Sequence, residues 1–286
     1  MKLFWLPRKA KIRPLWTFTV QGVIWRLVPA GNAKLIGETR NLEGRSTTFF
    51  CLDQSSGKAA WKDMAFGEKW WIGIECVSGG VLFLHMFATP DLPRHRGMVA
   101  VDVELGRILW SSKDLTFLSA QAGSVFARST NERGEQSVEI DTHSGKIVRQ
   151  LEPHEFTSTP MPGPAPEEIH YTVPFDRGGT SRAEEAFHLW PRGMRAAGPF
   201  EFIEGYPFVV ASFLEHTGKS VGDEGTLTNV VAVVEAASGK EAYSDILRAD
   251  ARASAPEQVF VRSGSLYYIR EGCSIVCVPL PGWEAA

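Results

Sequence analysis

The stretch Ala100–Trp110, AVDVELGRILW, reads as a strand, a tight turn and a second strand, with Asp102, Gly106 and Trp110 each four residues apart. The same frame returns in CLDQSSGKAAW, with Asp53, Gly57 and Trp61. It returns again in EIDTHSGKIVR, with Asp141, Gly145 and Arg149, and in VVEAASGKEAY, with Glu235, Gly239 and Tyr243. One hairpin copied along the chain marks a repeat protein. Each position has a physical task. The acidic side chain closes the turn through its oxygen. Glycine takes a positive φ that a Cβ would penalise. The tryptophan lays a large flat ring on the neighbouring unit while its N–H finds a backbone acceptor.

Spacing counts the units. Asp53 to Asp102 is 49 residues, Asp102 to Asp141 is 39, and Asp141 to Glu235 is 94, or two steps of 47. The midpoint of that double step is His188 in EEAFHLW, read here as a strand that has lost the motif residues. A further 44 residues lead from Glu235 to Pro279 at the end of SIVCVPL. A period of about 40–50 residues is that of four-stranded propeller blades. The expectation is an all-β chain forming a single closed β-propeller over residues 1–286, with six four-stranded blades and seven or five as alternatives. The last unit holds only three strands, QVFVRSG, SLYYIRE and SIVCVPL, so Lys11–Phe18 (KIRPLWTF) is expected to pair with Ser274–Pro279 and complete it. Such a strand removes two open edges, and a frayed tail is the competing reading. The fourth unit is obscure: the proline cluster TPMPGPAP precedes EIHYTVPF and AFHLW. No long helix is expected.

The frame A-x-D-x-x-x-G-x-x-x-W, best matched at Ala100, Asp102, Gly106 and Trp110, resembles the tryptophan-docking motif of quinoprotein-type (pyrroloquinoline-quinone dehydrogenase-like) propellers. The segments EKWWIGIE and LFLHMFATPDLPRHRG are also similar to a small uncharacterised bacterial family of unknown function, a resemblance that implies no activity. A quinone dehydrogenase of the familiar type would have an adjacent cysteine pair. Cys51, Cys76, Cys273 and Cys277 include none, so no cofactor is expected.

Composition narrows the class further. At 286 residues and 44% hydrophobic the chain can bury a large core. A net charge of −3 argues against nucleic acid or an anionic membrane as partner. No run approaches the ~20 apolar residues of a membrane span, and Leu3–Leu6 is too short for a signal-peptide core. The cysteines lack metal-type spacing, so no metal is expected. A cytoplasmic monomer follows as the expectation.

Alternating the loops between two ends of the blades gives an asymmetry. One end carries short turns such as SGG and SGK, and the other carries NLEGRS, DMAFGEKW, FATPDLPRHRG and EHTGKSVGDEGT. Long polar loops on a rigid scaffold are where binding concentrates. The densest chemistry there is TPDLPRHR, where Asp91 and His95 can pair and Arg94 and Arg96 can hold an anion, with His85 on the preceding strand. Trp70 and Trp71 can supply stacking surface. The plainer readings are a solvated polar loop and two tryptophans packed between blades. No H-E-x-x-H, G-x-S-x-G or phosphate-loop motif occurs. The expected role is a non-enzymatic module binding a protein or peptide through the long-loop face. The alternative is an enzyme for an anionic or sugar-like small molecule using Asp91, His95 and Arg96.

Overall fold

The computed structural model describes residues 12–285 except 32, 90–91, 122–123, 132–133, 152–168, 175–181, 194–195, 199, 217–226 and 252–258. The chain is all-β, with one short helix among the described residues. Its contacts gather into two compact units, Val20–Glu167 and Met1–Thr19 with Glu168–Ala286.

The second unit of that pair opens on β1 (Trp16–Thr19). The chain then crosses into Val20–Glu167, where three antiparallel meanders follow in sequence. The first sheet is β2 (Val23–Ala30), β3 (Lys34–Asn41), β4 (Ser46–Asp53) and β5 (Ala59–Met64), hydrogen-bonded in that order. The second is β6 (Ile72–Ser78), β7 (Val81–Thr89), β8 (Leu92–Asp102) and β9 (Ile108–Ser112). The third is β10 (Leu115–Gln121), β11 (Ser124–Asn131), β12 (Gly134–Asp141) and β13 (Ile147–Gln150). Central strands are buried on both faces, so β4 runs as STTFFCLD instead of alternating with polar residues. Ile36, Phe49, Ile72, Leu84 and Val101 fill the space between the first and second sheets. Phe83, Met98, Val125 and Ile140 do the same between the second and third.

The repeated turn locks neighbouring sheets together. Asp53 Oδ1 accepts from the Ser56 backbone N–H at 2.9 Å and from the Ser55 and Ser56 hydroxyls. Asp102 and Asp141 close their turns in the same way. Gly106, at φ +63°, lies under the Trp61 ring, and a Cβ there would come within 2.7 Å of it. The Trp61 indole donates to the Val103 carbonyl at 2.7 Å. Trp110 repeats the arrangement on Gly145, donating to the Thr142 carbonyl at 2.8 Å. Where the third sheet has Arg149 instead of tryptophan, its guanidinium pairs with Glu139 at 2.7 Å.

In the other unit, β14 (Ile169–Tyr171), β15 (Val173–Pro174), the helix α1 (Arg182–Leu189), β16 (Glu201–Ile203) and β17 (Gly205–Tyr206) precede two long strands, β18 (Phe208–His216) and β19 (Leu227–Glu235). Then come β20 (Glu241–Ala251), β21 (Val259–Arg262), β22 (Ser265–Arg270), β23 (Ser274–Pro279) and the short β24 (Glu284–Ala285). One sheet runs β15-β16-β18-β19-β20 and another β1-β23-β22-β21-β14, while β17 pairs with β24. The N-terminal strand thus pairs as expected, with Trp16 opposite Cys277 and Thr19 opposite Ser274.

The fourth expected unit differs. Its described residues form no meander of their own: Ile169–Tyr171 and Val173–Pro174, within the expected strand EIHYTVPF, are divided between two sheets, β14 joining β21 and β15 joining β16. AFHLW belongs to and follows a helix, not a strand. RAEEAFHL buries Ala183 and Ala186 in one cluster and packs Phe187 against Phe200 in the next, the i, i+3, i+4 spacing of a helix face, from strong helix formers. No helix among the described residues is long and apolar enough to cross a membrane.

Candidate functional site

The segment expected as a loop at TPDLPRHR is mostly strand. β7 and β8 pair out to Thr89 and Leu92, so His95 and Arg96 sit on the ladder of a long hairpin. A one-residue bulge decides which of them faces inward. Gly97 takes φ +81°, and beyond it Met86 lies opposite Arg96 and Phe87 opposite His95. Were the ladder regular, with Gly97 opposite Met86, Phe87 would face Arg96 and His95 would turn to the other side of the sheet. A second irregularity, between Ile74 and Cys76, inserts Glu75 beside the same face.

The two bulges bring three side chains together. Glu75 Oε2 lies 2.7 Å from His85 Nδ1 and 3.0 Å from His95 Nδ1. The two imidazoles stack, centroids 3.6 Å apart and planes within 5°. Phe87 turns its edge against both, at 5.1 and 5.3 Å. Despite the short distances, neither Glu75 Oε2 nor His85 Nδ1 makes a hydrogen bond of acceptable angle, and both atoms are buried. Burial opposes ionisation of Glu75, yet its contact with His85 and the charges of both imidazoles and Arg26 hold the carboxyl below its ordinary range. Burial, and then the neighbouring His85, push the His95 imidazole down against the pull of Glu75.

Next to this cluster lies a pinned arginine. The Arg40 guanidinium sits 5.0 Å from the Trp25 ring and 5.1 Å from the Trp70 ring. The buried Glu38 accepts from Arg40 Nε at 2.7 Å with one carboxylate oxygen and from the Ile74 backbone N–H at 3.0 Å with the other. Trp71 meets Trp70 and Phe87 edge-on, at 6.3 and 5.9 Å. Glu68 fixes the pair by accepting from both tryptophan backbone N–H groups, which lowers its carboxyl pKa. Gly73 is the seam between cluster and arginine: a Cβ there would stand 3.2 Å from both Glu38 Oε2 and the His85 ring.

Of the residues singled out from sequence, Trp70, Trp71, His85 and His95 join one continuous set of ring contacts. Arg96 is exposed and, as the residue after His95 on a strand, points to the opposite face. Asp91 and the Arg94 side chain lie outside the described residues. The carboxylate beside His95 is Glu75, which the sequence reading passed over together with Trp25, Glu38 and Arg40. One signal was present: Glu75 is the sole charged residue in IGIECVS, a strand otherwise fit for burial.

The model of a family described as a domain of unknown function (DUF4905) matches residues 29–110, the stretch that holds most of this site. No curated protein matches the chain. Among solved structures it is similar to a europium-containing methanol dehydrogenase, at 12% identity and a TM-score of 0.33, over 91% of this chain and 52% of that one. The chain therefore spans about half the length of that enzyme. It is similar also to a member of the DUF4221 family from Bacteroides vulgatus, at 8% identity and TM-score 0.35, over 96% and 98% of the two chains. TolB from Acinetobacter baumannii follows at 11% identity and TM-score 0.27, over 88% and 66%. Likeness this distant assigns no activity.

Cys51 and Cys76 are not candidate nucleophiles. Burial pushes Cys51 up to about 11 and Cys76 up to about 12.

Proposed function

We propose that the chain is a non-enzymatic β-propeller of the tryptophan-docking type, closed by its N-terminal strand, that binds a partner protein in the cytoplasm. The proposed contact is the long-loop end of the first two sheets. The observation that carries the reading is the Trp25–Arg40–Trp70 sandwich. Trp25 is 61% exposed although its ring lies over a buried guanidinium, and Leu42, on the β3–β4 turn at the same end, is 59% exposed. Tryptophan and arginine dominate the few residues that carry most interface energy, and here the arginine is held rigid before any partner arrives. The four free cysteines support a reducing compartment.

The enzyme alternative draws no support from the site, because His95 and Arg96 diverge across the strand. Site-specific photocrosslinking in cells tests the binding reading, with p-benzoylphenylalanine in place of Trp25, Leu42 or, at the short-turn end, Ser56. A shared discrete adduct from the first two positions and none from Ser56 is expected. Trp25→Ala should then weaken the purified pair by roughly tenfold. Equal crosslinking from Ser56, or unchanged affinity in Trp25→Ala, overturns the proposal.

A further inference from the structure

The Glu75–His85–His95 cluster plays no part in the partner contact proposed above, and the packing around it does not explain it. A carboxylate that served only to neutralise buried histidines would align an oxygen with each ring N–H. Here one oxygen lies close to two ring nitrogens and forms a proper hydrogen bond with neither. These donor atoms come from three different strands and all lie within 4.8 Å of one another, close enough for one ion to gather them once a ring turns.

We propose that Glu75, His85 and His95 form a binding site for one divalent first-row transition ion of the zinc class, with a coordination position left open toward the solvent side of His95. Two imidazoles and one carboxylate are a recurring zinc donor set, and they leave the fourth position free. The chemistry disfavours calcium or magnesium, which take six or more oxygen ligands or keep most of their water, because this site offers one carboxylate and Arg26 stands nearby.

The structure also says what must move. Parallel rings cannot both hold one ion in their planes, so one has to turn. His85 is 7% exposed and packed against Gly73 and Phe87, whereas the His95 side chain is 35% exposed at the rim. His95 is therefore the ring that swings. Bond lengths of about 2.0–2.2 Å require neighbouring donors roughly 3.3 Å apart, so the 2.7 and 3.0 Å separations widen as the ion enters.

The test uses the full chain after treatment with a chelator. Zinc(II) is titrated by calorimetry and cobalt(II) by visible absorption. One ion per chain, micromolar or tighter, with the strong visible bands of four- or five-coordinate cobalt, is expected. His95→Ala and Glu75→Gln should each weaken binding by roughly tenfold or more and bleach those bands. His143→Ala, outside the cluster, should change neither. If Glu75→Gln fails to fold, His95→Ala decides alone, since it trims a rim side chain. Absence of stoichiometric binding, or binding indifferent to His95→Ala, overturns the site.

Discussion

The two units use the same glycine turn and fill it differently. Within Val20–Glu167 two of the turn glycines receive tryptophan rings from the preceding sheet, Trp61 on Gly106 and Trp110 on Gly145. In the other unit Gly239, at φ +64°, receives the end of the helix: a Cβ there would stand 2.4 Å from the Leu189 carbonyl. Trp190, the next residue, is buried against Phe213 and donates to Glu241 at 3.3 Å. The turn is thus a socket with a fixed shape, and the plug need only be flat or close-fitting. Repeats can therefore lose their tryptophan without losing the contact.

The comparison breaks first at the plugs. Trp61→Ala and Trp110→Ala should each cost about 3–5 kcal/mol in denaturant unfolding, as large aromatic truncations in packed interiors do. Arg149→Ala should cost less than about 1 kcal/mol, because it loses an exposed ion pair. Equal costs at Trp110 and Arg149 would remove the tryptophan from the account of how sheets are joined.

Sockets give the next largest effect. Gly239→Ala forces a Cβ against main chain that cannot rotate away, and should cost about 1–3 kcal/mol beyond the strain of a left-handed residue. Gly282, at φ +71° with nothing within 4 Å, isolates that strain, about 1–2 kcal/mol. Thermal melts that fail to separate the two substitutions would show the close approach at Gly239 to be yielding.

The smallest effect sharpens the role of the acidic turn residue. Hydrogen bonds from Ser55 and Ser56 lower the Asp53 carboxyl to about 2, and a hydrogen bond from Ser144 lowers Asp141 in the same direction. Both are depressed in the folded state, so their contribution is complete above the unfolded value of about 3.9 and fades as pH falls through the folded one. Wild type should exceed Asp53→Asn in stability near neutrality, by less than about 1 kcal/mol at this surface turn, and the gap should close toward pH 2. A gap that widens on acidification would reverse the assignment.

How far sequence reasoning reached follows the same contrast. That Trp61 docks on the neighbouring unit and that Gly106 takes a positive φ could be read from the repeated frame, but their contact with each other came from the structure. The strand at Trp16–Thr19 was legible as the piece missing from a three-stranded unit. Residues 182–189 were not: the repeat count called for a strand there, and short apolar runs do not separate helix from strand. The site was half visible. His85 and His95 were singled out, but their meeting depends on the bulge at Gly97, and one residue of register turns every later side chain to the other face. Glu75 was missed because a second bulge places it.

The pairing of β1 with β23 also sets a schedule. Thr19 and Ser274 share a hydrogen bond across 255 residues of chain. At ordinary synthesis rates of about 5–20 residues per second, Trp16–Thr19 leaves the ribosome on the order of ten to fifty seconds before its partner exists. Only four residues long, with every other one exposed, it is a poor template for wrong partners during that wait. Its sheet is completed only after the far end of the chain has been made, so the early-made strand remains single until then.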